Sequence, residues 1–126
     1  MSIEDICKKY GVKIEYFDKE LWNRNGIYID EIKVVFVSKD LAPEKQKQVI
    51  LHELGHLGQT NEEYKNTFIK CENEANRKMI HHLLVDALEK LDDPSDFNYL
   101  DFMKFYNLKT TTDEVMVMEE YKTLLN

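Results

Sequence analysis

The chain has no run approaching the roughly 18 apolar residues that a membrane span requires, so no membrane-spanning helix is expected. Its opening residues, Met1-Ser2-Ile3-Glu4-Asp5-Ile6-Cys7, have neither the basic start nor the apolar stretch of a secretory signal, and a cytoplasmic protein is expected. Cysteine is scarce. The two present, Cys7 and Cys71, are far apart and form no metal-like pair; both read as reduced, buried or half-buried thiols. Positive charge is in deficit, with 17 Lys and Arg against 24 Asp and Glu, for a net charge of −7. A surface of that sign repels phosphate backbones, so direct nucleic-acid binding is not expected, and any influence on DNA would pass through another protein. No repeat or low-complexity tract divides the 126 residues, which read as one domain, 1–126.

What the chain does have is His52-Glu53-Leu54-Gly55-His56. This matches H-E-x-x-H, a spacing with a physical reason. On an α-helix four residues turn through about 400°, which leaves His52 and His56 about 40° apart on one face. Two imidazoles so placed can reach one zinc ion at about 2.0–2.1 Å. Glu53 is rotated about 100° from His52, beside the metal and not on it, a position suited to a general base.

The elements around this motif can be read from their periodicity. Ile3, Ile6, Cys7 and Tyr10 have helical spacing, ended by Gly11. Residues 12–17 alternate as a half-buried strand, Asn25-Gly26 is turn chemistry, and 26–29 and 33–38 are two further strands, the latter the more buried. Pro43 suits a first helical turn, and a helix is expected from about Ala42 to Leu57, closed by Gly58. Val49, His52 and His56 share one side of it, with Ile50, Leu54 and Leu57 on the other. At Gly55 the missing side chain would let neighbouring backbone approach. A second helix is expected from about Glu62 to Lys90. After a linker at 92–96, residues 97–106 form a short aromatic helix read as core, and a last helix runs from Thr112 to Leu125 with Val115, Met118, Tyr121 and Leu125 on one side.

The helix over 62–90 supplies a third ligand. Its stripe Phe68, Glu72, Ala75, Met79, Leu83 contains one carboxylate, and a buried charge needs a partner. Glu74, about 200° away, falls on the solvent side with Lys70, Asn73, Arg77, Lys78 and His81. His81 is about 180° from Glu72 and His82 about 80°, so His81 cannot join the site and His82 could at most line its rim. Three protein ligands leave a fourth position open, as catalytic zinc sites do.

HELGH followed by Glu72-Asn73-Glu74-Ala75-Asn76 resembles the ImmA/IrrE-type metallopeptidases, whose second motif is E-x-x-A-N/D. The resemblance covers roughly residues 10–90. It implies zinc held by His52, His56 and Glu72, Glu53 as general base, and Asn76 as a neighbour able to orient one of the histidines. The chain departs from the family's usual continuation: Arg77-Lys78-Met79-Ile80-His81-His82-Leu83-Leu84 lacks its aromatic-Ala pair and its proline. The implied fold is α+β, a small, mostly antiparallel sheet packed on a zincin-like helical core. The implied activity is a zinc endopeptidase that cuts a helix-turn-helix repressor of a phage, mobile element or stress regulon. The alternative is an antirepressor that grips its repressor without cutting it, with zinc organising the fold; an intact Glu53 favours the first. An oxyanion donor besides zinc is expected from among Tyr64, Tyr99, Tyr106 and His82, and substrate is expected to lie extended along an exposed strand edge.

Overall fold

The computed structural model describes residues 2–125. In chain order it contains α1 (Ile3–Lys9), β1 (Lys13–Phe17), β2 (Gly26–Ile29), β3 (Val34–Ser38), α2 (Pro43–Leu54), α3 (Asn61–Asn66), α4 (Phe68–Glu89), a 3-10 turn (Pro94–Asp96), α5 (Tyr99–Phe105) and α6 (Thr111–Leu125). The architecture is α+β.

Local chemistry accounts for the element boundaries. Ser2 and Asp5 form a capping box that starts α1. The helix closes at Tyr10 and Gly11, where φ is +68° and the Val12 amide donates to the Cys7 carbonyl at 2.8 Å. Pro43 sits in the first turn of α2, where its missing N–H costs no helix bond. Asn98 caps α5 by accepting from the Leu100 and Asp101 amides.

The three strands lie in the order β1-β3-β2. β2 and β3 pair antiparallel, whereas β1 runs parallel to β3, so the sheet is mixed rather than mostly antiparallel. Burial explains the order: Val34, Val35, Val37 and Ser38 of β3 are all buried, and the most buried strand takes the centre. The inner face of the sheet meets α2, and α4 packs between α2 and α6. Leu51, Ile80, Leu83, Leu84, Val35, Val37 and Val117 are the fully buried side chains of one continuous core. Phe97, Phe102 and Tyr106 pack on this core, as the aromatic segment was expected to. Cys7 and Cys71 are both buried and free. No helix among the described residues is long and apolar enough to cross a membrane.

Three expected features are different in the structure. The helix bearing the histidines ends at Leu54, not Leu57, and continues through 55–58 as a tighter turn. The helix expected over 62–90 is two helices. It breaks at Thr67, at φ −132° and ψ 51°, where the hydroxyl and the amide of Thr67 both donate to the Glu63 carbonyl. The Thr67 hydroxyl bond to that carbonyl is added to the helical bond from the amide, a pairing that bends helices, and no buried face of α3 resists the bend. The phase of two stripes also shifts. On α4 the buried residues are Cys71, Ala75, Met79, Ile80, Leu83 and Leu84; Phe68 is exposed and Glu72 lies at the edge of the stripe. On α6 Met116 and Val117 are buried, while Val115 and Leu125 face solvent. Glu120, bonded to His81 and Arg77 of α4, turns that face of α6 inward.

Leu83→Ala should lower stability by about 2–5 kcal/mol, the usual range for deleting a fully buried leucine side chain. Urea unfolding checks it: the midpoint should fall with the slope unchanged.

Candidate metal centre

His52 stands on the last turn of α2, and His56 lies one turn further on, past its end. Between them the His56 amide donates to the Glu53 carbonyl and the Leu57 amide to the Leu54 carbonyl, each at 3.1 Å. These bonds span three residues, so the chain tightens without leaving the helical path. The two imidazoles meet edge to face, 5.0 Å between ring centres.

Gly55 sets where the second helix can pass. Its φ of −63° and ψ of −19° suit any residue, so the glycine is not required by its own backbone conformation. A Cβ at this position would lie 2.6 Å from the Ala75 Cα and 2.7 Å from the Ala75 carbonyl oxygen. The end of α2 and the first half of α4 therefore touch backbone to backbone, and both small residues are needed. Glu72 is one turn before Ala75, which brings its carboxylate onto the histidines. Oε2 is 2.9 Å from His52 Nε2, and Oε1 is 3.6 Å from His56 Nε2.

One donor atom from each of His52, His56 and Glu72 can be chosen so that all lie within 4.8 Å of one another. Donors on a tetrahedral zinc with bonds of about 2.0–2.1 Å stand roughly 3.3 Å apart, so this spacing suits a metal ion. The chemistry of the donors also fits. Burial pushes the His52 pKa below the ordinary imidazole value, with opposing contributions from Glu72 and a hydrogen bond to Asn76. Burial thus favours the neutral ring, the form that binds metals. His56 Nδ1 is 2.6 Å from Gln59 Oε1, and Gln59 Nε2 donates to the Cys71 carbonyl at 3.1 Å. With its amide oriented by that second bond, Gln59 accepts from Nδ1–H and leaves the Nε2 lone pair facing Glu72. Glu74 stays exposed, as its phase implied, and accepts from Gln59 Nε2 at 3.4 Å.

Glu53 is outside the donor cluster, on the wall of an open cleft of about 650 Å³ that also includes His56, Glu72, Gln59, Tyr64, Tyr28 and Arg24. Burial raises its carboxyl above the usual range. His56 lowers it, Glu72 raises it, and Arg24 and the Tyr28 backbone amide lower it. Its pKa is thus set by opposing groups, an arrangement common where a carboxylate handles protons. β2 forms the facing wall, close to α2 because Gly26 leaves room for Val49.

Of the four oxyanion candidates, Tyr64 alone lines the cleft among the described residues. Tyr99 and Tyr106 pack against the core, and His82 lines a small pocket elsewhere with Ile6, Tyr10 and Leu51. His81 is drawn to Glu120, away from the cluster. Gln59, Arg24 and Tyr28 were not singled out from the sequence. Gln59 carries no usable signal there, since its reach to His56 depends on the helix ending at Leu54. Arg24 stood in a turn and Tyr28 in a strand, with nothing to show that both border one cleft.

A two-histidine, one-carboxylate cluster with a further glutamate at its edge is compatible with a metal centre of the peptidase kind. The family model of the IrrE N-terminal-like domain, of the M78 peptidases, matches residues 7–118, and the chain belongs to this ImmA/IrrE family. No curated protein and no solved structure matches the chain.

Gly55→Ala should cost about 1–3 kcal/mol, as overpacking does, and should weaken metal uptake because Glu72 is displaced with α4. Urea unfolding and titration against a chromophoric chelator test this. A variant equal to wild type in both would show that α2 and α4 do not depend on this contact.

Proposed function

We propose that the chain is a zinc-dependent endopeptidase acting as a single zincin-like domain, with His52, His56 and Glu72 as the metal ligands and Glu53 as the general base. The observation that carries this reading is the placement of four groups by one helix crossing: three donors converge, and a fourth carboxylate stands beside them on the cleft wall without joining them. A purely structural metal site has no use for Glu53 in that position.

Zinc held by these residues supplies Lewis acidity, polarising a peptide carbonyl and making water acidic enough to react near neutral pH. Glu53 takes a proton from the attacking water as oxygen adds to the carbonyl carbon. It returns that proton to the amine nitrogen as the C–N bond breaks. Asn76 positions the His52 ring and Gln59 positions His56. β2 is bonded to β3 on one side only, and Ile27 and Tyr28 line the cleft, so its free edge can pair with an extended peptide. Such pairing favours a protein substrate that offers an unfolded or extended segment.

The target we infer is a helix-turn-helix transcriptional repressor in the cytoplasm, cut to relieve repression by a phage, mobile element or stress regulon. Family membership supports a protein substrate, and the net charge of −7 suits acting on a DNA-binding protein rather than on DNA.

Co-expression with the repressor encoded nearest the gene, blotted against Glu53→Gln, tests the reading. Wild type should yield repressor fragments, and Glu53→Gln should slow their appearance by about 10²–10⁴-fold, the usual worth of a general base. A repressor that stays whole yet loses DNA binding with both proteins would instead establish the non-cleaving antirepressor.

A further inference from the structure

Every residue of α3 is exposed, so apolar burial does not explain where this helix lies. The chain enters it shortly after Gly58, at φ +87°, and leaves through the break at Thr67. Tyr64 links it to the metal cluster. Its ring meets His56 at 5.5 Å and Phe68 at 5.0 Å, both edge to face. Its hydroxyl donates to Glu72 Oε1 at 2.7 Å.

That hydrogen bond makes the two oxygens of Glu72 unequal. Oε2 lies 2.9 Å from His52 Nε2. Oε1 already accepts a short bond from a phenol and lies farther from its histidine, 3.6 Å from His56 Nε2. A carboxylate can bind a metal through one oxygen or through both, and a strong donor on one oxygen reduces its ligand strength and fixes the plane of the group.

We propose that Tyr64 is a positioning residue that confines Glu72 to ligation through one oxygen and so keeps the position facing Glu53 open. The inference rests on the metallopeptidase reading given above. It also accounts for α3: the exposed helix carries one phenol to one carboxylate oxygen. Removing the hydroxyl would free Oε1 to act as a fifth donor beside the solvent, which would crowd the open position and raise the coordination number from four to five.

The test uses the full chain loaded with cobalt(II), whose visible absorption is intense in four-coordinate and weak in five-coordinate sites. Tyr64→Phe keeps the ring contacts with His56 and Phe68 and removes only the hydroxyl; Tyr64→Ala removes both. The expected result is a strong band in wild type and the same marked loss of intensity in both variants, each folded by circular dichroism. Superimposable spectra for wild type and Tyr64→Phe would overturn the proposal while leaving the metal site intact. Loss in Tyr64→Ala alone would also overturn it, because the ring and not the hydroxyl would then be responsible. A wild-type chain that takes up no cobalt would overturn the metal reading and this inference with it.

Discussion

The close contact between Gly55 and Ala75 is the constraint on which the rest of the site depends. Two helices can cross backbone to backbone only where neither carries a side chain larger than a methyl, and here a single added Cβ would sit 2.6 Å from a main-chain atom. Ala75 is fully buried at that crossing. The distance from the crossing to each ligand is then set by helix geometry alone: Gly55 is next to His56 and three residues past His52, and Ala75 is three past Glu72. Small residues in the two motifs are therefore as much part of the candidate site as the converging side chains are.

The rest of the core keeps that crossing in register. α4 is gripped on one side by α2 and on the other by α6, with Leu83, Leu84, Ile80 and Val117 fully buried between them. Glu120 of α6, bonded to Arg77 and His81 of α4, fixes the rotation of the two helices on the side away from the ligands. Val35 and Val37 of β3 bury the opposite flank of α2, and β3 in turn holds β2 against the cleft. A displacement of any of these layers would be transmitted to the ligand distances, because close-packed interiors do not deform gradually.

Two carboxylates share the site and have different surroundings. Glu72 faces two imidazoles and a phenol, with the imidazoles nearest its two oxygens and the phenol donating to one of them. Glu53 sits on the cleft wall, where burial raises its carboxyl and His56, Arg24 and the Tyr28 amide pull it back. Position relative to one helix end separates the two surroundings, and the amino-acid type does not.

The sequence by itself determined the donors and their phase. Four-residue spacing places His52 and His56 on one face, and helical rotation distinguishes Glu72 from Glu74, because both follow from the 3.6-residue repeat and need no distant contact. The strand positions and the buried character of β3 were legible for the same local reason. Only the tertiary structure decided the parallel placement of β1, the end of α2 at Leu54, the break at Thr67, and the recruitment of Gln59, Tyr64, Arg24 and Tyr28 to one cleft. The sheet order and the shared cleft turn on groups from separate elements. Gln59 reaches His56 because Cys71 orients its amide, and Tyr64 reaches Glu72 because α3 departs from the axis of α4. Local periodicity carries no record of such meetings, since the energy that selects them arises only when the elements are packed together.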